Sequence, residues 1–291
     1  MDGFLNVWKP SGLTSFDVVA RVRRASGQRR VGHGGTLDPA AEGVLPIALG
    51  QATRAVEYLH LLDKAYRAEV VLGVSTDTYD SQGQATGGSP PSATKADLEA
   101  ALTSFRGEVW QRPPPYSAVK VGGRPLYLRA RRGEQVALPL RKVHFYRLDL
   151  IGWQPPTFTL EIECSAGTYI RSLAHDLGQA LGCGAHLAHL LRLRAGPFHS
   201  ADAIPLNVVE ETLSQEWYHW LYPMDTVMLG WPAAIVGQDK EGRIRHGGAV
   251  PLASPPGSGL GRAYTLDGRL LATLRPREGL WYPDKVFSAT A

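Results

Sequence analysis

Apolar and polar positions alternate along some stretches of the chain and recur at helical spacing along others. Phe4-Leu5-Asn6-Val7-Trp8 predicts a short strand, closed by Lys9-Pro10-Ser11-Gly12. Thr14 and Asp17 have the spacing of a capping box, which predicts a helix to about Ser26 with Gly27 as its stop. The apolar run from Val44 to Gly50 predicts a buried strand. Thr53 to Leu62 predicts a second helix with Val56, Leu59 and Leu62 on one face. Tyr66 to Val74 alternates as a strand does, and Asp77 to Gly83 is a polar loop. Thr94 with Asp97 predicts another capped helix through about Phe105. The Gly122-Gly123 pair marks a hairpin within Val119 to Arg124. Arg141 to Trp153 and Phe158 to Cys164 predict strands, and Thr168 to Leu181 a helix. Strands and helices mix without a βαβ rhythm, which favours a mixed α/β (α+β) sheet over a doubly wound one.

The tail changes character after Trp231-Pro232. Arg243 to Val250, Ala263 to Leu266, Leu270 to Leu274 and Trp281 to Phe287 predict short strands, with a hairpin at Asp267-Gly268 and no helical period. The chain therefore divides into a main domain over 1–228, carrying a basic insertion at about 106–147, and a small β domain over 229–291. Flexible breaks fall at Gly87 to Pro91 and Ser254 to Gly261.

Composition narrows the class. Hydrophobic residues make up 44% of the chain and charged residues 20%, the balance of a globular protein with a proper core. No apolar run approaches the ~20 residues of a membrane helix. Met1-Asp2-Gly3-Phe4 lacks the start of a signal peptide, so a cytoplasmic protein without membrane contact is expected. Two cysteines, Cys164 and Cys183, with no C-x-x-C, fit a reducing compartment and exclude a disulfide framework or zinc finger. The net charge is only +4, yet ten Lys/Arg and two acids fall between Arg106 and Arg147. Charge concentrated in this way attracts a polyanion. Of the 31 basic residues 24 are Arg, which suits forked contacts with phosphate and stacking on bases.

Several chemistries are excluded by motif. There is no G-x-x-x-x-G-K-[ST] and no G-x-G-x-x-G opening a helix, so neither a Walker site nor a dinucleotide cofactor is expected. The H-x-E and P-C-x-x-C pair of the nucleobase deaminases is missing. Cys183-x-x-His186-x-x-His189 has metal-binding residue types, but steps of three alternate faces on a strand and drift on a helix. These residues are expected in the core or facing RNA, with no metal. Asp77 to Gly83 fails as a calcium loop, because the Gly is one place late and no Glu follows at the twelfth position.

What remains centres on Gly32-His33-Gly34-Gly35-Thr36-Leu37-Asp38-Pro39. Three glycines in four residues supply backbone freedom that no helix or strand interior wants. Pro39 fixes its own φ and pushes Asp38 toward extended geometry. A segment built this way holds one carboxylate at the bottom of a cleft and lets a flat ligand approach the backbone.

Three further motifs accompany it: Lys9-Pro10-x-Gly12-x-Thr14-Ser15; Lys64-x-Tyr66 ahead of Leu72-Gly73-x-x-Thr76-Asp77-Thr78-x-Asp80; and Cys164-Ser165-Ala166-Gly167-Thr168-Tyr169-Ile170-Arg171. Together they resemble the TruB family of tRNA pseudouridine-55 synthases over about residues 3 to 200. The Asp38 segment, running through Gly43-Val44-Leu45-Pro46 to Ala52-Thr53-Arg54, is the most specific part, and Ala166 is a minor variation. The resemblance implies a pseudouridine synthase core with a mixed, largely antiparallel sheet and flanking helices. The tail looks like a PUA domain, a small RNA-binding pseudobarrel.

The implied reaction turns a uridine of the tRNA T-loop into its C-glycoside without a cofactor. Asp38 matches the essential aspartate; attack at C1′, attack at C6 and removal of the 2′ proton all remain open as its route. Arg171 matches its arginine partner, and Tyr66 the tyrosine stacked on the flipped base. His33 matches a histidine that fills space near the flipped nucleotide, and Leu190 an apolar residue against the base. Tyr169 is expected to bind substrate. Lys9, Lys120, Arg129, Arg131 and Arg132 are expected on tRNA phosphates. The enzyme is expected to be a monomer with the tRNA T-stem-loop as partner. An RNA chaperone without chemistry is the alternative, but it needs no carboxylate in an RNA groove. An N-glycoside hydrolase would release free base, against the stacking Tyr66.

Overall fold

The computed structural model describes residues 1–117, 139–252 and 259–288, together with the backbone of Lys120, Val121, Arg124 and Pro125. The alternating runs form the spine of one sheet. Its main strands are β1 (Gly3–Lys9), β2 (Val31–His33), β3 (Glu42–Leu49), β4 (Lys64–Leu72), β5 (Gly107–Gln111), β6 (Arg141–Gln154), β7 (Thr157–Cys164) and β8 (Ala185–Ala195). The spatial order is β1-β3-β8-β4-β7-β6-β5, with β2 pairing on β3. Neighbours in this order run antiparallel except β3 and β8, which are parallel through Leu191↔Glu42 and Arg192↔Gly43. The sheet is thus mixed and largely antiparallel, as expected. Lys120–Val121 and Arg124–Pro125 pair antiparallel on either side of the Gly-Gly pair.

Helices cover the sheet where their apolar stripes require it. α1 (Ser15–Ser26) opens on the Thr14/Asp17 capping box and stops at Gly27 in the left-handed region, φ +66. Its Val18, Val19 and Val22 pack on Leu5, Val7, Leu45 and Ile47. α2 (Val56–His60) is shorter than the sequence predicts, because Gly50–Arg54 folds as a 3-10 turn before it. α3 (Lys95–Thr103) carries the second capping box. Together with α4 (Ile170–Ala180) it buries Leu98, Leu102, Leu173 and Leu177 against Ala68, Val70, Leu160 and Ile162. α5 spans Leu206–Glu211.

The tail forms its own sheet of β9 (Ala233–Ile235), β10 (Gly261–Tyr264), β11 (Leu270–Arg277) and β12 (Leu280–Val286), with a separate core around Ala263, Leu271, Leu274 and Trp281. One expectation is overturned here: the strand predicted from Arg243 is instead the end of a helix, α6 (Gln238–Arg245). Arg243-Ile244-Arg245 mimics strand alternation, but a helix buries the lone Ile244 while Arg245 pairs with Glu241 one turn back at 2.7 Å. This unit docks on α2. The Tyr58 hydroxyl meets Thr273 Oγ1 at 2.9 Å and donates to Asp284 at 2.8 Å, and Lys285 lies 3.0 Å from Glu57. Among the described residues no helix is long and apolar enough to cross a membrane.

Candidate active site

A cleft of about 640 Å³ opens where the Asp38 loop, β4, β8 and the start of α4 converge, within the size range of small-molecule sites. The loop needs its glycines. A Cβ on Gly34 would lie 2.0 Å from Leu59 Cδ2, and Gly35 has φ +135, so no larger residue fits either position without strain. The Ser15 hydroxyl fastens the loop from below, accepting from the Leu37 amide at 2.8 Å and donating to the Leu37 carbonyl at 3.1 Å.

Lys9, expected on tRNA phosphate, is corrected by its placement. It is 0% exposed. Its ammonium donates to the carbonyls of Pro10, Pro39 and Ala41 at 2.9, 3.2 and 2.6 Å. It therefore ties β1 to the far side of the loop, and burial draws its pKa down to about 8.

Asp38 and Arg171 meet in a forked pair, Nε to Oδ2 at 3.0 Å and Nη2 to Oδ1 at 3.3 Å. The Asp38 side chain is 41% exposed to the cleft, whereas that of Arg171 is 9% exposed. Burial by the surrounding walls pushes the Asp38 carboxyl above its usual range, and the Arg171 charge pulls against it. Arg171 is held on its other edge too. Nη1 contacts Asp80 Oδ2 and the Thr78 carbonyl at 3.3 and 3.2 Å, and Nη2 the Tyr116 carbonyl at 3.0 Å. Asp80 is itself oriented by the Thr78 hydroxyl at 2.6 Å and the Gln82 amide at 3.0 Å. In the sequence Asp80 is marked only as a carboxylate two residues after Thr78, and its role as a partner of Arg171 emerges from the fold.

The start of α4 is set by Gln111 on β5. Its amide oxygen accepts from the Tyr169 backbone N–H at 2.8 Å, and its amide nitrogen donates to the Tyr169 carbonyl at 2.9 Å. This presents the Tyr169 ring to the cleft, which Tyr66 and Leu190 also line. Tyr66 is 7% exposed, and burial pushes its phenol up to about 12. Register places Tyr66 opposite Arg192 and Leu190 opposite Ala68, all on the core face of the sheet. His60, Lys64 and Arg192 line the cleft as well and had no assigned role. The ammonium of Lys64 donates to the carbonyls of His60 at 3.2 Å and Leu62 at 2.5 Å, and burial lowers its pKa to about 8.

His33 stands outside the residues that line the cleft, on β2, where its Nδ1 accepts from the Gly35 amide at 3.4 Å. Burial lowers its pKa. The side chains of Lys120, Arg129, Arg131 and Arg132 lie outside the described residues; the chain enters their segment from the cleft wall at Tyr116 and Ser117. Cys183, His186 and His189 do not converge. Cys183 is buried, His186 faces the Val74 carbonyl at 2.9 Å, and His189 lies 2.9 Å from Glu42.

Comparison with known structures defines the class. The fold matches a chain of a Cbf5-Nop10-Gar1 complex with a TM-score of 0.74 at 29% identity over 98% of this chain and 85% of that one. A chain of an H/ACA ribonucleoprotein bound to a substrate RNA containing 2′-deoxyuridine matches with a TM-score of 0.73 at 27% identity. This is the fold of a pseudouridine synthase. Sequence comparison then gives the family. The TruB family pseudouridylate synthase N-terminal domain matches residues 23–170, and the tRNA pseudouridylate synthase B C-terminal domain matches residues 171–228. A tRNA pseudouridine synthase B of Dehalococcoides mccartyi is 42% identical over 99% of this chain and 97% of its own length. One from Synechococcus is 55% identical over 70% of this chain and 69% of its own. The chain belongs to the TruB family of pseudouridylate synthases and is an isomerase.

Proposed function

We propose that this enzyme converts the uridine at position 55 in the T-loop of tRNA to pseudouridine, with Asp38 as the reacting carboxylate. The observation that carries the reading is the forked Asp38–Arg171 pair at a cleft lined by Tyr66, Tyr169 and Leu190. The N1–C1′ bond breaks, the base turns over, and C5 bonds to C1′; one proton leaves C5 and one is gained at N1, so product and substrate share one formula. Asp38 supplies the attack or abstraction that opens the sequence. A carboxylate raised by burial is a stronger base and nucleophile than one in water, and the fork on Arg171 keeps it ionised and aimed. The uridine leaves its stack to enter the cleft, where Tyr66 and Leu190 cover its faces and keep the freed base from escaping. The basic segment at 106–147 and the PUA-like tail grip tRNA phosphates outside the cleft, and the enzyme works as a cytoplasmic monomer.

The test is an unmodified tRNA transcript incubated with the full-length chain. One T-loop uridine is expected to become pseudouridine by chemical mapping, with no change of mass and no free uracil. Release of uracil, or conversion that ignores the T-loop, would overturn the assignment.

A further inference from the structure

Arg192 carries a charged group into the interior directly beneath the cleft. It is 1% exposed. Its guanidinium donates from Nε to the Val44 carbonyl at 2.7 Å, from Nη2 to the Gly35 carbonyl at 3.0 Å, and from Nη1 to the Thr36 carbonyl at 3.4 Å. Its register partner on β4 is Tyr66, on the same face of the sheet. Burial lowers its pKa, and the partner that opposes this is Tyr66 rather than a carboxylate.

A buried cation without an acid partner is costly, and an apolar side chain of similar volume would fill the same space more cheaply. What the guanidinium supplies is geometry. Its acceptors come from separate parts of the site: the loop just before Asp38 and β3. One planar group with several N–H bonds in fixed directions spans them all. The strands are close enough for this because β3 has Gly43 opposite Arg192, where a Cβ would lie 2.4 Å from the Arg192 carbonyl. The charge reaches further as well: burial lowers the pKa of Lys9, Lys64, His33 and His60, and Arg192 adds to that lowering.

We propose that Arg192 is a positioning residue for the isomerisation, setting the Asp38 carboxylate against the Tyr66 ring by tying the Asp38 loop to β3 from a strand position whose register partner is Tyr66. It rests on the reading of Asp38 and Tyr66 given above. Lysine at this position keeps the charge but offers its donors from a single atom, so it cannot hold both sides.

Single-turnover kinetics with full-length enzyme in excess over a tRNA transcript separate chemistry from binding. Arg192→Lys is expected to lower the rate at saturating enzyme about a hundredfold, the scale of a 1 Å misplacement. The tRNA Kd is expected to stay within about threefold, with a cooperative thermal transition retained. Arg192→Ala leaves a guanidinium-sized space opening on the cleft. Added ethylguanidinium is expected to restore its rate at least about tenfold, and ethylammonium is not. The proposal is overturned by a near-normal rate in Arg192→Lys, by rate and binding falling together, by equal rescue with both cations, or by failure of both variants to fold. Asp38→Asn assayed alongside separates the two claims. An active Asp38→Asn removes the functional reading itself, whereas an inactive one beside a normal Arg192→Lys removes only the positioning role.

Discussion

Asp38 and Asp80 share one guanidinium: Arg171 lies 3.0 Å from the first and 3.3 Å from the second. The arrangement stops Arg171 from following Asp38 out of place. Asp80 anchors the far edge of the fork, so the Asp38 carboxylate meets a fixed partner rather than a mobile one. The second negative charge also adds to the upward push on the Asp38 pKa.

Asp38→Asn keeps the shape and removes the charge. Isomerisation is expected to vanish while tRNA binding stays within about tenfold. Residual activity above about a few per cent of the native rate in a tritium-release or mapping assay would show that another group does the chemistry.

Arg171→Lys keeps the charge but loses the fork and is expected to cost the rate about a hundredfold. Asp80→Asn leaves Arg171 on Asp38 and removes only its brace, so a smaller loss of about tenfold is expected, with Kd unchanged. Equal losses in the two variants would mean that Asp80 does more than hold Arg171.

Lys9 makes stability depend on pH. In the unfolded chain it stays protonated to about 10.5, whereas the folded chain releases the proton above about 8. Between these values the unfolded state binds more protons, so this group's contribution to stability rises with pH. Unfolding titrations of native enzyme and Lys9→Met from pH 8 to 10 isolate it, because other groups cancel in the difference. Native enzyme should gain on the variant by at most ~1.4 kcal/mol per pH unit. A flat difference would mean that Lys9 remains charged in its nest of carbonyls.

Neutralising Arg129, Arg131 and Arg132 together should weaken tRNA binding and lower the slope of log K against log salt by up to about three. An unchanged slope would place these arginines away from the RNA.

Tyr58→Phe removes the hydroxyl that bridges to Thr273 and Asp284. A loss of about 1–2 kcal/mol in denaturant unfolding is expected, because Asp284 is left with one partner fewer. The rate at saturating tRNA should not change. An unaltered unfolding midpoint would show that this bridge does not help to dock the C-terminal unit.

Much of this was legible in the chain because the signals were local. Both capping boxes, Thr14/Asp17 and Thr94/Asp97, formed as read, since each is decided within one helical turn. The Asp38 loop announced itself through glycines whose need is steric, as Gly34 against Leu59 shows. β8 was not legible. Ala185–Ala195 interleaves His186, His189, Arg192 and Arg194 with leucines, so neither strand alternation nor a helical stripe emerges. Its residues are specified by partners far along the chain, and nothing near Arg192 reveals that its acceptors lie at Gly35, Thr36 and Val44. Lys9 was misread for a related reason. A lysine beside proline and glycine looks like a surface contact, and only the tertiary fold brings carbonyls to its ammonium. Gln111 gave no signal at all.

The parallel pairing of β3 with β8 bears on synthesis. Val44 and Arg192 are bonded across 148 positions, and translation is directional. A nascent chain displays the Asp38 segment long before the strand that supports it has been made, and loop closure over such a span is slow. An unfinished chain on the ribosome therefore holds the carboxylate without the floor beneath it. Binding of tRNA in productive geometry must wait until β8, Ala185–Ala195, has emerged, so competence arrives in one step rather than growing with length.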